Sequence, residues 1–245
     1  MQRVKKLKRG LFLLTILIIS SATVFAQKQK PKNVSWYDDK LLHFGFSLGF
    51  NTMDFNITPS QVNYQVDSLY PEVSILNPGI NIQIVTNLHP SEHFDIRFLP
   101  GVSFGQRNVR YYKNQVLENE NQRLESSFLE FPLLVKFKGA RLNNVRPYLI
   151  AGLNYRYDLA GKKAYESDDP NKPPVYLRLQ RSDLYYEVGP GLDFYLPYFK
   201  FSIELKVSTG MRDVLVHDAT SLKPQYSNAI ERMRSQLWII SFHFE

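Results

Sequence analysis

The sequence predicts an all-β fold: an eight-stranded antiparallel transmembrane β-barrel of the outer membrane, with short periplasmic turns and long extracellular loops. Three observations carry this. Eight stretches of about ten residues alternate apolar with small or polar side chains, the connections between them are alternately short and long, and the amino terminus reads as an export signal.

The eight segments are 41–52, 77–88, 94–106, 127–138, 147–157, 183–195, 199–211 and 235–244. Each is close to the length that a tilted strand needs to cross hydrocarbon. Connections 89–93, 139–146 and 196–198 are tight turns, whereas 53–76, 107–126, 158–182 and 212–234 are long and polar. Outer-membrane barrels keep the short turns in the periplasm, so both chain ends are expected there.

A soluble barrel would also alternate, with its apolar face inside. Residue size separates the two. On the first strand Leu42, Phe44, Phe46, Leu48 and Phe50 share one face, and Gly45, Ser47, Gly49 and Asn51 share the other. The third sets Phe94, Ile96, Phe98, Val102 and Phe104 against Asp95, Arg97, Gly101, Ser103 and Gly105, and the seventh sets Phe201, Ile203, Leu205 and Val207 against Ser202, Glu204, Lys206 and Ser208. The interior of an eight-stranded barrel is cramped and filled by side chains, so the face with glycine and serine belongs inside. The inward charges are then Arg97, Glu130, Lys136, Arg156, Glu187, Asp193, Glu204 and Lys206, with both signs on neighbouring strands. Buried ions are costly unless paired, so the expected interior is a paired polar plug, too narrow to pass a folded protein.

Aromatic girdles are expected at both interfaces: Tyr155, Tyr157, Tyr186 and Trp238 on the outer side, and Phe94, Phe137, Tyr148, Tyr198 and Phe242 on the inner.

At the amino terminus Arg3, Lys5, Lys6, Lys8 and Arg9 precede an apolar run from Leu11 to Ile19, followed by Val24-Phe25-Ala26. This is a signal-peptide pattern. The expected organisation is a signal peptide over 1–26, a periplasmic amino-terminal tail over 27–40 and the barrel over 41–245. Cleavage removes five cations and lowers the formal charge from +7 to +2, so the basic balance is mostly a targeting signal. The remaining charges are interspersed, which excludes a nucleic-acid stripe. Cysteine is absent, so the fold holds without disulfides or thiolate metal sites.

The search for chemistry returns little. Asp213, His217, Asp218 and Ser221 in the last long loop are the residue types of a base, an orienting carboxylate and a nucleophile, but polar loops accumulate these types without any geometry. His89-Pro-Ser-Glu92-His93 matches a zinc-peptidase pattern that needs a helix, and Pro90 between two strands leaves no room for one. His43 and His243 fall on inward faces, where hydrogen bonding to neighbouring strands is the expectation. Glycine steps such as Gly45 and Gly49 lack the helix amino terminus of a phosphate cradle. The sequence therefore nominates no catalytic residue, no cofactor-binding residue, no cofactor and no metal ligand, and the chain is expected not to be an enzyme.

Among the connections, Ser167–Pro174 should be extended and exposed. Ser227 is an N-cap candidate ahead of good helix formers, which predicts a short rim helix over 227–234 before the last strand. Gln27–Lys32 reads as a solvated basic tail. The last strand finishes Trp238-Ile-Ile-Ser-Phe-His-Phe244, similar to the carboxy-terminal insertion signal of outer-membrane barrels, with Glu245 added after the aromatic.

Taken together, LLHFGFSLGFNTMDF at 41–55, NPGINIQIVTNLHPSEHFDIRFLPGVSFGQR at 77–107, LEFPLLVKFK at 129–138, RPYLIAGLNYRYDLA at 146–160, EVGPGLDFYLPYFKFSIELKVSTGMRDVLV at 187–216 and RMRSQLWIISFHFE at 232–245 resemble the PorT-type outer-membrane barrels associated with type IX secretion and gliding. EFPLLVK, RPYLIAG and Gly189-Pro190-Gly191 also resemble a broader superfamily of small outer-membrane barrels. The PorT resemblance implies a non-enzymatic accessory or scaffold component of protein transport. Its implied partners are other secretion-machinery proteins, including a larger translocon, and outer-membrane lipid, with no nucleic acid and no small-molecule ligand. The alternatives are a small barrel enzyme, a hydrolase or acyltransferase with an extracellular-rim site, and a general adhesion or structural barrel.

Overall fold

Alternating side chains build a wall only if every strand finds two neighbours, and the ladders here meet that condition all the way round. The computed structural model describes residues 32–34, 37, 40–60, 69–73, 77–113, 116–117, 122–160, 177–217 and 224–245. Its elements are β1 (Leu42–Pro59), β2 (Leu69–Val73), β3 (Pro78–Leu88), β4 (Phe94–Phe98), β5 (Gly101–Lys113), β6 (Val116–Leu117), β7 (Gln122–Lys138), β8 (Val145–Asp158), β9 (Ser182–Tyr195), β10 (Lys200–Gly210), α1 (Pro224–Asn228) and β11 (Ile230–Phe244). All pairings are antiparallel, and β1 pairs with both β3 and β11, which closes the ring.

β4 and β5 are one wall strand interrupted at Leu99-Pro100. Phe98 faces Thr86 and Gly101 faces Gln83 on one side, with Leu133 and Glu130 on the other, so the register runs through the break. Proline has no donor to offer. Its carbonyl still accepts from the Ile84 N–H at 2.9 Å, and Leu99 N–H donates to the Pro132 carbonyl at 3.1 Å. With that join the wall has eight strands, each covering a segment that the sequence marks out.

The faces fall as residue size predicts. Phe44, Phe46, Leu48 and Phe50 of β1, Ile80, Ile82 and Ile84 of β3, and Leu133, Val135 and Phe137 of β7 are exposed on the outer wall. Ser47, Asn51, Asn81, Ser103, Ser202 and Ser208 are buried inside. So much exposed apolar surface is tenable because lipid, not water, covers it.

Beyond the apolar band the alternation continues, but its sense inverts. Phe55, Val109, Tyr111, Leu124, Ile230 and Met233 now point inward and are buried, while Asp54, Asn56, Arg110, Glu125, Arg232 and Arg234 point outward. This corrects the reading of 53–76, 107–126 and 212–234 as polar loops: β1, β5, β7 and β11 run past their predicted ends, and β2 and β6 were not foreseen. The inward residues join Leu69, Leu177, Val214, Leu215, Tyr226 and Ala229 in an apolar cluster that caps the outer end. In water the apolar side of a strand faces its core, so the pattern turns over where the wall leaves hydrocarbon.

The rim helix is also corrected. It spans Pro224–Asn228, and Glu231–Arg234 are strand. Met233 decides this. Its side chain is fully buried in the outer cluster, and its N–H donates to Asp213 Oδ1 at 3.1 Å while its carbonyl accepts from Val214 N–H at 2.9 Å. Asp213 Oδ1 also accepts from Leu215 N–H at 3.1 Å, which ties the last connection onto the strand.

Tyr111 fills the middle of this cap, with its ring edge-on to Tyr226 at 4.8 Å and its hydroxyl donating to the Tyr226 carbonyl at 3.1 Å. Tyr111→Ala should cost the cap about 3–5 kcal/mol. Limited trypsinolysis is expected to cut at Arg110 or Lys113 much faster than in the parent, while the barrel keeps its heat-modifiable migration; unchanged cleavage would mean that the cluster does not hold the outer segments.

Candidate functional site

The eight inward charges nominated by the sequence all lie buried inside the wall, four cationic and four anionic. Some pair between adjacent strands and others reach further round or across the lumen. Arg156 of β8 meets Glu130 of β7 at 2.8 Å and Glu187 of β9 at 3.0 Å. Lys206 of β10 bridges Glu187 at 3.3 Å and Glu204 at 3.4 Å. Lys136 holds Asp193 at 2.7 Å, and Arg97 reaches Glu204 at 3.4 Å across the lumen. Neutral groups complete the shells: Gln83, Ser103 and Asn154 donate to Glu130 or Glu187 at 2.7–2.8 Å, and Ser202 donates to Asp193 at 2.6 Å. Ion pairs this deep hold only with such supporting bonds, because desolvation otherwise exceeds the Coulombic gain.

Several members were not singled out from sequence. Glu245, the residue that follows the terminal aromatic, turns its carboxylate inward to Arg97 at 2.7 Å and Lys200 at 2.9 Å. Lys138 and Asp95 pair at 2.5 Å, with His89 Nδ1 at 2.6 Å from Asp95. Arg107 contacts Asp158 at 3.6 Å and lies over the Phe55 ring, 4.3 Å from its centroid. The alternation that flags inward positions extends to these residues too: Asp95 stands on the predicted inner face, and the others lie near or beyond the predicted strand ends.

The end with the short turns is stoppered by the segment before β1. Asn33 N–H donates to Asn144 Oδ1 at 2.9 Å, its amide donates to the Tyr195 carbonyl at 3.1 Å, and Arg141 donates to the Asn33 carbonyl at 2.5 Å. Val34 is buried against Tyr37 and Tyr195 at a φ of 48°, a left-handed conformation that a branched residue keeps only where its surroundings impose it. The Tyr37 ring stacks on His43 at 3.8 Å, and its hydroxyl donates to Glu245 at 2.5 Å while accepting from Lys200 at 2.9 Å. Burial, and the Glu245 carboxylate after it, hold the Tyr37 hydroxyl far above its usual range, so it remains a donor. His43 thus bonds to this segment, through the Tyr37 carbonyl at 2.7 Å, and not to a neighbouring strand. His243 lies 3.6 Å from Glu204. Of the tail expected over 27–40, residues 27–31, 35–36 and 38–39 lie outside the described residues, as do the signal peptide over 1–26 and the segment Ser167–Pro174.

The girdle residues Tyr155, Tyr186, Trp238, Phe94, Phe137 and Tyr198 are exposed on the wall as expected. Tyr148 is a correction. It sits between outward Pro147 and Leu149, so it points inward, donates to Glu204 at 2.9 Å and lies under Lys136, 3.7 Å from its ring centroid. Gly191 across the ladder makes room, since a Cβ there would run into the Tyr148 ring.

Of the loop constellation, Asp218 and Ser221 lie outside the described residues. His217 Nε2 is 3.6 Å from Asp213 Oδ2, while Asp213 Oδ1 is committed to two backbone N–H groups. His89 is engaged by Asp95 and Lys138, and His93 stands in the turn.

A continuous water path would leave the interior charges accessible, and each of the eight is at most 2% exposed. With the apolar cap at one end and the Tyr37 stopper at the other, the barrel is a filled cylinder. In planar bilayers the purified protein should show no steady porin-like conductance. Arg156→Leu, which strands two buried carboxylates, should lose about 3–5 kcal/mol of stability in urea unfolding from liposomes; a loss below about 1 kcal/mol would mean that the pairs carry no such strain.

Residues 25–216, 192 of the 245, match the family model described as outer membrane protein beta-barrel domain. Similar solved structures include the outer membrane protein OprG from Pseudomonas aeruginosa, at 13% identity and a TM-score of 0.42, covering 82% of this chain and 94% of that one. They also include Ail, the attachment invasion locus protein of Yersinia pestis, at 11% identity and a TM-score of 0.35, covering 82% and 96%. A third is AlkL in DMPC lipid bilayers, at 10% identity and a TM-score of 0.38, covering 89% and 93%. No curated protein sequence matches. With a closed eight-stranded wall, a lipid-suited exterior and a family match over more than three quarters of its length, the chain belongs to the outer membrane protein β-barrel family and resides in the outer membrane of a Gram-negative bacterium.

Proposed function

We propose that this barrel is a non-enzymatic accessory or scaffold component of type IX protein secretion. The observation that carries the reading is the filled interior: with eight paired charges inside and both ends stoppered, the barrel offers partners its surfaces and offers cargo no passage. The resemblance of its strands to PorT-type barrels supplies the machinery. In this role the capped outer end, the tethered periplasmic end and the wall make contacts, and a separate, larger translocon conducts the cargo. No small-molecule ligand, nucleic acid or cofactor enters the mechanism.

Bond-making by the last outer connection is the competing chemistry. Asp213 acts there as a backbone staple, which supports a structural use of that segment.

The test is the cell-surface and periplasmic proteome of a deletion strain of the native host, with the intact gene restored as control. Cargo bearing a carboxy-terminal sorting domain should accumulate in the periplasm and return to the surface on complementation. Normal cargo distribution would sink the secretion role and leave adhesion or a structural duty. Complementation with His217→Ala and Ser221→Ala variants is expected to restore cargo to parental levels; failure to do so at normal barrel abundance would reinstate the enzyme reading.

A further inference from the structure

The outward stripe of β11 reads, from the inner end, Phe244, Phe242, Ile240, Trp238, Gln236, Arg234, Arg232. From Phe244 to Arg234 is ten residues, which at about 3.4 Å per residue and a tilt near 40° lifts the chain roughly 26 Å. That is the height of the apolar band of an outer-membrane barrel, about 25 Å. Arg234 and Arg232 therefore stand at the upper hydrocarbon boundary, one step of polar residue above the exposed indole of Trp238.

Neither guanidinium makes a side-chain hydrogen bond or an ion pair with any described residue. Arg234 Nε is out of contact with water and has no acceptor. A charged donor left so is costly, and an acceptor that reached this guanidinium would remove the cost. The backbone beneath is firmly set: Ile57 and Met233 face each other on the inner side, packed in the outer cluster, so the two arginines project from regular strand about 7 Å apart. Asn56 is registered opposite Arg234 and Thr58 opposite Arg232, both exposed, adding neutral donors to the same face. The neighbouring acids are Asp54, whose Oδ1 accepts the Phe55 N–H at 2.7 Å, and Glu231, and neither lies within ion-pair distance. Exposed Arg212 adds a further cation in the connection that Val214 N–H ties to the Met233 carbonyl.

We propose that Arg232 and Arg234 form a docking site for the phosphate groups of the lipid A moiety of lipopolysaccharide, the glycolipid of the outer leaflet. The depth matches, because lipid A carries its phosphates just above its acyl chains, where the guanidinium forks can meet them bidentately while their stems lie along the apolar wall. The contact orients the barrel about its axis and gives β11 and β1, the strands that close the ring, a fixed lipid neighbour.

The experiment is native mass spectrometry of the full mature barrel in detergent, titrated with bisphosphorylated lipid A, with dephosphorylated lipid A, and with bisphosphorylated lipid A plus millimolar inorganic phosphate. The parent should retain the bisphosphorylated lipid through detergent exchange. R232Q/R234Q, whose heat-modifiable migration reports that it is folded, should bind about tenfold more weakly or worse. R110Q, which removes an outward arginine registered opposite Glu72, should bind as the parent does. Equal retention by parent and double variant, or of lipid A with and without phosphate, would overturn the proposal and leave acyl contact alone. Displacement by inorganic phosphate would also overturn it, assigning the arginines to a free anion.

Discussion

In hydrocarbon no water stands ready to satisfy an exposed N–H or carbonyl, so a sheet there must close on itself. Every other feature of this barrel depends on the ladder between β1 and β11, which runs from Phe46 opposite Phe244 to Thr58 opposite Arg232. Once that ladder forms, the first and last strands lie side by side, and the described residues just before β1 meet the end of β11 at one mouth. The Tyr37 hydroxyl can then donate directly to Glu245, with Lys200 bonded to both and Arg97 to Glu245, although the two are more than two hundred residues apart in sequence. The Glu245 side-chain carboxylate and the segment before β1 act as a clasp that exists only when the ring is shut.

Closure with eight strands leaves a lumen that side chains must fill, and the filling here is ionic. Opposite charges on adjacent strands pair at hydrogen-bond distance, and serine, asparagine and glutamine take up the remaining lone pairs. An apolar filling would meet the demand for packing equally well, but it would also make the strands apolar on both faces and remove the alternation that tells the wall which side is out. The interior charges thus define orientation as well as volume. In the proposed scaffold role, a barrel filled in this way works through its surfaces.

At the outer boundary of the membrane the solvent changes and the alternation inverts with it. The same four strands that carry Phe50, Phe104, Leu129 and Trp238 toward lipid carry Phe55, Tyr111, Leu124 and Met233 inward a few residues away, on the side of the outer rim. Reading the sequence for apolar residues on the lipid side ended these strands too early and turned Glu231–Arg234 into helix. The period of two was present throughout; what changed was which side of it faced water. Arg232 and Arg234 owe their position to this inversion, since a helix there would have left them at no defined depth.

From sequence alone came the eight strands, the inner and outer faces of three of them, the interior charges and the short-turn end, because a period of two and residue size are local properties that a wall of this curvature requires. The tertiary structure decided which charge meets which, that Tyr148 fills the space over Gly191, that Glu245 locks the inner mouth and that the long connections build an apolar cap. Each of these brings together residues from strands far apart in the chain, and only ring closure sets the distances between them.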